Sequence, residues 1–189
     1  LGPVLSPVAA CATGLTCAVR AVELIRRGDC DLALCGSSDT SLCDSVLASF
    51  ARLGVLATGF QDPATACRPF DRNRSGFLVG EGAAVLVMES EEAARHRGAK
   101  PLARWLAGGL ASDPSGPTSV DPSGRSLSRL ITTTLGQAQL APEDLDHVNL
   151  HGTATPSNDR CETAAIKHAF GPHARKDSGN KDYFRLNCP

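Results

Sequence analysis

Val8-Ala9-Ala10-Cys11-Ala12-Thr13-Gly14 sets a cysteine at the point where an apolar run meets a helical pattern. Residues 4–10, on the N-terminal side, predict a short buried strand that Pro7 interrupts. Residues 12–27 carry apolar side chains at helical spacing, and Gly28 predicts the end of that helix. This order of strand, cysteine and helix is the first step of an alternation that continues along the chain.

Beyond this stretch, predicted strands and helices keep alternating. Strands are predicted at residues 31–35, 83–88, 102–110 and 147–150, and helices at residues 42–53, 89–98, 125–140 and 159–170. Residues 57–74 and 112–124 predict irregular segments, because turn-forming residues are frequent in both. The alternation indicates the α/β class with largely parallel strand pairing. Gly98 marks a predicted boundary between two similar halves, residues 1–99 and residues 100–189.

The bulk composition argues against several classes of protein. The 189 residues carry 19 basic and 20 acidic side chains, so no basic surface favours nucleic acid or an anionic membrane as a partner. No apolar run approaches the length of a membrane span. The eight cysteines contain no CxxC pair, which argues against zinc or iron–sulfur ligation, and no metal is expected. No signal peptide precedes the cysteines, which favours a reduced, cytoplasmic setting. Because the chain does not begin with Met, a removed leader is the alternative.

Cys11 is a candidate nucleophile. At the start of a helix, unpaired backbone N–H groups and the helix dipole favour negative charge, which lowers the pKa of a thiol. The neighbouring alanines and Gly14 leave space for a thioester to approach. A lone cysteine is more often a buried structural residue, but the position between strand and helix favours the reactive interpretation.

His151 is the second candidate, in the stretch Val148-Asn149-Leu150-His151-Gly152-Thr153-Ala154-Thr155-Pro156. A histidine at the end of a strand can donate a hydrogen bond to a developing oxyanion or hold a proton. The alternative is an ordinary loop histidine whose hydrogen bonds are satisfied locally. A thiolate nucleophile and a positioned imidazole together are the pair that acyl transfer needs.

Asp159 and Glu162 lie three residues apart on one face of the last predicted helix. Their carboxylates could hold the segment around His151 or pair with a lysine. The alternative is that both belong to the solvated start of a helix.

The chain resembles the β-ketoacyl-acyl carrier protein synthases of the thiolase superfamily, the elongating condensing enzymes of fatty-acid and polyketide assembly. The resemblance extends from about residue 3 to residue 171, and its motifs are residues 10–14, 28–31, 68–72, 75–84 and 151–156. It implies a layered α/β/α/β/α thiolase-like fold that is present only in part, because the chain is truncated at both ends. Residues 1–99 would then be the C-terminal part of the first half and residues 100–189 the first part of the second.

The resemblance also implies the activity. Cys11 matches the nucleophile that takes the acyl chain from a carrier-protein thioester. His151 matches the first of two histidines that stabilise the oxyanion and the enolate when malonyl-acyl carrier protein loses CO₂. The reaction needs no cofactor beyond the phosphopantetheine of acyl carrier protein, which is the expected partner. The full-length form is expected to be a homodimer.

Other residues have supporting roles by the same resemblance. Thr153 and Thr155 match hydroxyls that hold the phosphopantetheine arm, and Phe50 lies where family members line the acyl pocket. Glu162 matches a carboxylate that orders the site through a lysine, and Asp159 is expected to support the site with it.

Alternatives and departures follow from the resemblance. The chain could be a ketosynthase of a polyketide or specialised-lipid pathway, or a non-catalytic partner subunit similar to a chain-length factor; Cys11 argues against the second. After residue 172 neither the family's second Gly-His motif nor its later glycines can be matched, and Lys181 stands near the position of the expected lysine. We therefore expect these 189 residues alone not to condense acyl chains.

Overall fold

The computed structural model describes residues 2–116 and 119–174 and the backbone of residues 185–187, so Lys181 lies outside the described residues. The chain folds as two compact units. The first unit consists of Leu1–Leu42 and Gly80–Gly108, and the second of Cys43–Val79 and Gly109–Pro189. Among the described residues, no helix is both long enough and apolar enough to cross a membrane.

The first unit is a helix packed on a two-stranded sheet. Its elements are α1 (Thr13–Arg27), β1 (Leu32–Asp39), β2 (Gly82–Glu89) and α3 (Glu91–His96). Helix α1 ends at Gly28, which takes a left-handed conformation with φ 78°, as the sequence predicts. Small buried residues of α1, Ala18 and Ala21, pack on Cys35 of β1, so the helix approaches the sheet closely.

The pairing of β1 with β2 corrects two predictions. The strands are antiparallel, whereas the sequence pattern predicted parallel pairing, and β1 continues through residues 36–39, which were predicted to turn. The ladder runs from Leu32 opposite Glu89 to Asp39 opposite Gly82, so the polar end of β1 gains backbone partners. A Cβ at Gly36 would lie 2.0 Å from the carbonyl oxygen of Ala84, so only glycine fits there.

Strand β2 is also more exposed than predicted. Because α1 packs on one face of the sheet, alternate residues point to the other face. On that face Val85 and Val87 are 67% and 60% exposed, and Leu34 is 70% exposed. A continuous apolar run predicts burial on both faces, and this prediction is wrong for β2.

Two further predicted strands are absent. Residues 4–10 form no strand: Pro7 has no N–H to donate, and Val4 and Val8 are 93% and 90% exposed. Residues 102–110 are also irregular. There a Cβ at Gly108 would lie 2.5 Å from the Trp105 ring, so this glycine lets the backbone lie close to the Trp105 side chain.

The second unit contains most of the helices. Its elements are α2 (Asp44–Leu53), α4 (Arg125–Ala138), β3 (His147–Asn149), α5 (Pro156–Phe170) and β4 (Arg185–Asn187), with short 3₁₀ turns at Pro63–Thr65 and Pro142–Asp144. Strands β3 and β4 pair in parallel. Helices α4 and α5 pack together, and Leu150, Ile166 and Phe170 form the buried core.

The second unit confirms the predicted helices and the predicted strand before His151. Helix α5 begins at Pro156 and not at residue 159, because the Thr155 hydroxyl accepts a hydrogen bond from the Asn158 N–H and caps the helix. Strand β3 ends at Asn149. Residues 150–155, here called the histidine loop, therefore connect a strand end directly to a helix start.

Candidate active site

Cys11 lies in a 3₁₀ turn, Ala10–Ala12, immediately before the 15-residue helix α1, and it is exposed. We call residues 9–13 the cysteine turn. Ala10 has φ 47°, in the left-handed region that costs a residue with a Cβ about 1 kcal/mol. Such strained positions persist only where the surrounding structure holds them, and they cluster at functional sites.

The Thr13 hydroxyl holds the cysteine turn. Its oxygen accepts a hydrogen bond from the Ala9 N–H at 2.9 Å and donates to the Ala10 carbonyl at 2.7 Å. The Ala12 N–H donates to the Ala9 carbonyl at 3.0 Å, which closes the 3₁₀ turn. No sequence pattern singled out Thr13, because its hydroxyl bonds to residues before the helix and does not cap it.

The histidine loop has a similar backbone but a buried environment. Gly152 and Ala154 take left-handed conformations with φ 54° and 59°, and Ala154 is 0% exposed. Leu150 is buried in the core of the second unit, whereas His151 is exposed. The loop therefore anchors its backbone in the core and leaves the imidazole accessible.

Glu162 of α5 holds the histidine loop by its backbone. One carboxylate oxygen accepts the His151 N–H at 2.7 Å, and the other accepts the Gly152 N–H at 2.8 Å. The second oxygen also accepts the Asn158 side-chain amide at 2.8 Å. Glu162 is 6% exposed, so the expectation of a solvated helix start is wrong for this residue. Hydrogen bonds to an ionised acceptor are the strong ones, and these fix the peptide on each side of His151.

Asp159 is buried as well, at 1% exposed, but it holds a different segment. Its Oδ2 accepts the Phe70 N–H at 2.7 Å and lies 3.1 Å from Nε of Arg74. Phe70 is itself left-handed, with φ 63°. The two acidic residues therefore have separate structural tasks: Glu162 fixes the histidine loop and Asp159 fixes residues 70–74.

Thr153 and Thr155 are linked to each other. Their hydroxyl oxygens are 2.8 Å apart, and the Thr155 oxygen also accepts the Asn158 N–H at 3.4 Å. Thr155 is buried and Thr153 is half-buried. The two hydroxyls thus share one hydrogen bond at the end of the loop.

Phe50 lies on α2, half-buried, and its ring meets that of Phe77 edge to face, with centroids 5.4 Å apart.

The same helix begins after Cys43, an exposed thiol whose pKa is lowered, first by a hydrogen bond with the Ser45 hydroxyl and then by the Val46 N–H. In contrast, burial raises the pKa of Cys35 and of Cys161. No pattern in the sequence had singled out Cys43.

Two family descriptions match the chain consecutively. The sequence model "Beta-ketoacyl synthase, N-terminal domain" matches residues 1–94, and "Beta-ketoacyl synthase, C-terminal domain" matches residues 102–180. The chain belongs to the β-ketoacyl synthase family. The resemblance seen in the sequence motifs is thus confirmed.

This chain is similar to proteins that carry two kinds of name. It is 44% identical over 169 residues to "3-oxoacyl-[acyl-carrier-protein] synthase 2" of Mycobacterium tuberculosis, covering 89% of this chain and 40% of that protein. It is 40% identical over 173 residues to "Tetracenomycin polyketide synthase ketoacyl synthase alpha subunit" of Streptomyces glaucescens, covering 92% of this chain and 41% of that protein. The chain thus spans about 40% of the length of these relatives.

The structural comparison gives the fold. A solved "type II PKS acyl-carrier protein in complex with its ketosynthase bound to the hexaketide" matches with a TM-score of 0.86 at 32% identity, covering 94% of this chain and 42% of that one. The α/β fold of this chain is therefore the thiolase-like fold of the ketosynthases, present in part. The predicted fold class is confirmed.

The second unit brings together four of the residues singled out in the sequence. His151, Thr153, Thr155 and Glu162 all belong to the histidine loop or contact it. Asp159 lies on the same helix as Glu162, while Cys11 belongs to the first unit. Within the ranges that the structure describes, no group of three or more His, Cys, Asp or Glu is arranged to hold a metal ion.

Proposed function

We propose that this chain is part of a 3-oxoacyl-acyl carrier protein synthase, an acyltransferase of fatty acid biosynthesis. The observation that carries the proposal is an exposed cysteine in a left-handed turn at the N-terminus of a 15-residue helix. Helix N-termini stabilise thiolates, and strained turns mark functional positions. The 44% identity to a mycobacterial 3-oxoacyl synthase supports the reaction class.

In the first half-reaction Cys11 accepts the acyl chain. Its thiolate attacks the thioester carbonyl of acyl-acyl carrier protein and forms a new C–S bond. The bond between the carbonyl carbon and the pantetheine sulfur then breaks, and that sulfur leaves as a thiolate that takes up a proton. Covalent catalysis of this kind splits one difficult condensation into two easier steps.

In the second half-reaction His151 stabilises negative charge. Malonyl-acyl carrier protein loses CO₂, and the electron pair of the broken C–C bond forms an enolate whose oxygen accepts a hydrogen bond from the imidazole N–H. The enolate carbon attacks the acyl group on Cys11, a C–C bond forms, and the Cys11 thiolate is released. The two hydrogen bonds that the Glu162 carboxylate accepts from the N–H groups of residues 151 and 152 support this role, because they limit the positions that the ring can take.

Thr153, Thr155 and Phe50 are proposed to serve substrate binding, Thr155 through its hydrogen bond to Thr153. When Thr155 donates to Thr153, the Thr153 hydroxyl hydrogen remains for a carbonyl oxygen of the pantetheine arm. Phe50 is proposed to line the acyl pocket, and its edge-to-face contact with Phe77 supports a fixed ring position. Asp159 and Glu162 support the site by holding backbone segments.

The wider assignments follow from the family. We propose that residues 1–99 belong to the nucleophile half and residues 100–189 to the histidine half, a division that the two family matches at 1–94 and 102–180 support. Acyl carrier protein is the proposed partner, as in the ketosynthase complex that this chain is similar to. A cytoplasmic location and a homodimer in the full-length form complete the proposal.

Acylation of Cys11 is the test. The 189-residue chain is incubated with octanoyl-acyl carrier protein, and the modified peptide is found by mass spectrometry. We expect an octanoyl thioester on the Cys11 peptide, sensitive to hydroxylamine, that is lost in Cys11→Ser and retained in Cys43→Ser. Cys43 is the matched control because it too is an exposed thiol at a helix start. Equal labelling of the Cys11→Ser variant, or no labelling at all, would contradict the proposal and favour a non-catalytic partner subunit.

Condensation by the 189 residues alone is not expected, since these residues contain no second Gly-His motif after His151. Release of CO₂ from malonyl-acyl carrier protein by the isolated chain is the direct measurement. We expect none above the rate of a His151→Ala variant. Robust turnover would show that a second histidine is not needed.

A polyketide ketosynthase is the second candidate, favoured by the 40% identity to the tetracenomycin subunit and the match to a type II polyketide ketosynthase. The two candidates differ in the acyl group on Cys11. Competition between octanoyl- and acetoacetyl-acyl carrier protein for Cys11 distinguishes them: preference for the saturated chain supports fatty acid synthesis, and preference for the β-keto chain supports polyketide assembly.

A further inference from the structure

The cysteine turn is closed around Cys11 by a single hydroxyl group. Thr13 lies two residues after Cys11, yet both of its hydroxyl hydrogen bonds reach back to residues before the cysteine, Ala9 and Ala10. Its donor hydrogen and one of its acceptor positions are therefore both used on the same short turn. The hydroxyl therefore connects the residue after Cys11 that carries it to the backbone before Cys11.

The hydrogen bond from the Thr13 hydroxyl to the Ala10 carbonyl fixes the peptide unit that precedes Cys11. Ala10 has φ 47°, which a residue with a Cβ leaves for the right-handed region when nothing restrains it. Because a peptide unit is planar, fixing the Ala10 carbonyl fixes the whole unit between Ala10 and Cys11. The direction of the Cα–Cβ bond of Cys11, and so the position of its sulfur, depends on that unit.

Thr13 belongs to a helix that packs on the sheet of the first unit. It is the first residue of α1, with helical φ −57° and ψ −43°, and is half-buried. The next residue, Gly14, lets the helix start lie against β1, since a Cβ there would be 3.0 Å from the Ser37 hydroxyl. The hydroxyl that restrains the turn thus projects from a packed element, which is what precise positioning requires.

We propose that Thr13 is a positioning residue for Cys11: its hydroxyl holds Ala10 in the left-handed conformation in which the Cys11 sulfur accepts an acyl group. The inference rests on the proposed acyl transfer to Cys11. It assigns to Thr13 a role that neither the sequence motifs nor the proposed reaction gives it. Thr13 does not touch the substrate and acts only through the backbone.

Two variants of Thr13 separate its hydroxyl from its shape. Thr13→Val keeps the volume and removes both hydrogen bonds, whereas Thr13→Ser keeps the hydroxyl. We expect the rate of Cys11 acylation by octanoyl-acyl carrier protein to fall about tenfold in Thr13→Val and to stay within about threefold in Thr13→Ser. Equal rates in Thr13→Val and the unmodified chain would overturn the inference, as would equal losses in the two variants.

Iodoacetamide alkylation, resolved by peptide, reports on folding in the same samples. Cys35 is buried in the first unit, and Cys43 is exposed in the second. A change confined to the cysteine turn leaves the alkylation rates of both cysteines unchanged, whereas unfolding of the first unit exposes Cys35 and raises its rate. The pH profile of Cys11 alkylation is measured alongside, because at an unchanged Cys35 rate a shifted profile shows that the Cys11 thiol has moved relative to the helix start while the unit stays folded. A Thr13→Val chain with slow Cys11 acylation but a fast Cys35 rate would argue against positioning and for unfolding.

The Ala10→Gly variant tests the mechanism without relying on Thr13→Val alone. Glycine takes positive φ without a Cβ penalty, so the turn needs less restraint. We expect Ala10→Gly to acylate within about threefold of the unmodified chain, and Thr13→Val to cost less in the Ala10→Gly background than alone. A loss of about tenfold in Ala10→Gly itself, or a Thr13→Val loss of the same size in both backgrounds, would overturn the inference.

Failure of the proposed function gives a different result. If octanoyl-acyl carrier protein never labels Cys11, acyl transfer is wrong while the alkylation profile still shows whether Thr13 positions the thiol. If Cys11 is labelled in every Thr13 variant at one rate, acyl transfer stands and the positioning role is wrong.

Discussion

The cysteine turn and the histidine loop share a strained backbone but differ in what holds it. Each contains an alanine in the left-handed region, Ala10 and Ala154. In the cysteine turn Ala10 is exposed and a neutral hydroxyl, that of Thr13, makes the restraining hydrogen bonds. In the histidine loop Ala154 is fully buried, and the carboxylate of Glu162 binds the backbone.

The difference follows from where the restraint originates along the chain. Thr13 restrains residues three and four positions away, so the cysteine turn is a local structure that depends on the first turn of α1. Glu162 reaches ten and eleven residues back, so the histidine loop depends on the docking of a whole helix onto the core. We infer that a change in the histidine loop alters global stability, whereas a change in the cysteine turn alters mainly the local conformation.

Removing the Glu162 carboxylate is the most severe test of this contrast. Glu162→Ala leaves two backbone N–H groups, those of His151 and Gly152, without their acceptor. We expect the free energy of unfolding to fall by about 3 kcal/mol, since an unsatisfied buried group costs about 1–3 kcal/mol and the bond at residue 152 is buried while the one at residue 151 is partly buried. Urea denaturation measures it, and amide exchange at residues 151 and 152 is expected to accelerate.

Glu162→Gln is the matched control for that experiment. The amide keeps one acceptor oxygen and loses the charge, so we expect a smaller loss, about 1.5 kcal/mol. Equal costs for the two variants would show that one neutral acceptor oxygen restores none of the lost stability, and no loss in either would contradict the restraint.

Packing around the two alanines gives the second test. Ala154→Val places a β-branched side chain at φ 59° in a position with no exposed surface, and we expect a loss of about 2 kcal/mol. Ala10→Val meets the same backbone strain at an exposed position, so its cost is expected to be about half. Thermal unfolding of the two variants is compared directly, and equal costs would mean that burial does not distinguish the two loops.

Asp159 offers a third test, because it lies one helical turn from Glu162 but holds other residues. Asp159→Asn keeps an acceptor for the Phe70 N–H and loses the charge opposite Arg74, so we expect about 1 kcal/mol of destabilisation. Amide exchange is expected to accelerate at residue 70 and to stay unchanged at residues 151 and 152. Acceleration at all three positions would show that the two carboxylates hold one connected structure.

Local sequence patterns were sufficient for the helices and for the two motifs. Gly28 and Gly54 end their helices in left-handed conformations, and the strand before His151 forms where it was predicted. These features depend on residues close together in the chain. The α/β class and the family followed from the order of the motifs, and both are confirmed.

Features that depend on distant partners could not be read from the pattern. The antiparallel register of β1 and β2 joins residues about fifty positions apart, so periodicity alone could not set its direction. The separate tasks of Asp159 and Glu162 were equally hidden, because the Phe70 N–H that Asp159 accepts is 89 residues away. The hydrogen bonds of Thr13 are local, but they form on a turn with a left-handed alanine, Ala10, which the sequence does not predict.

Cys43 gives the mildest test, as a thiol at a helix start without a left-handed turn. Its hydrogen bond with the Ser45 hydroxyl is the first cause of its lowered pKa, so thiolate forms at a lower pH than for an ordinary cysteine. Ser45→Ala is expected to raise this pKa and move the pH profile of Cys43 alkylation upward, with a slower rate at pH 7. Ser49→Ala, on the same helix but bonded to the Ser45 carbonyl, is the control and should leave the profile in place. If Ser45→Ala leaves the Cys43 profile unchanged, the Ser45 hydroxyl does not lower the pKa of Cys43. The two helix-start cysteines would then differ in one established respect, the left-handed Ala10 before Cys11.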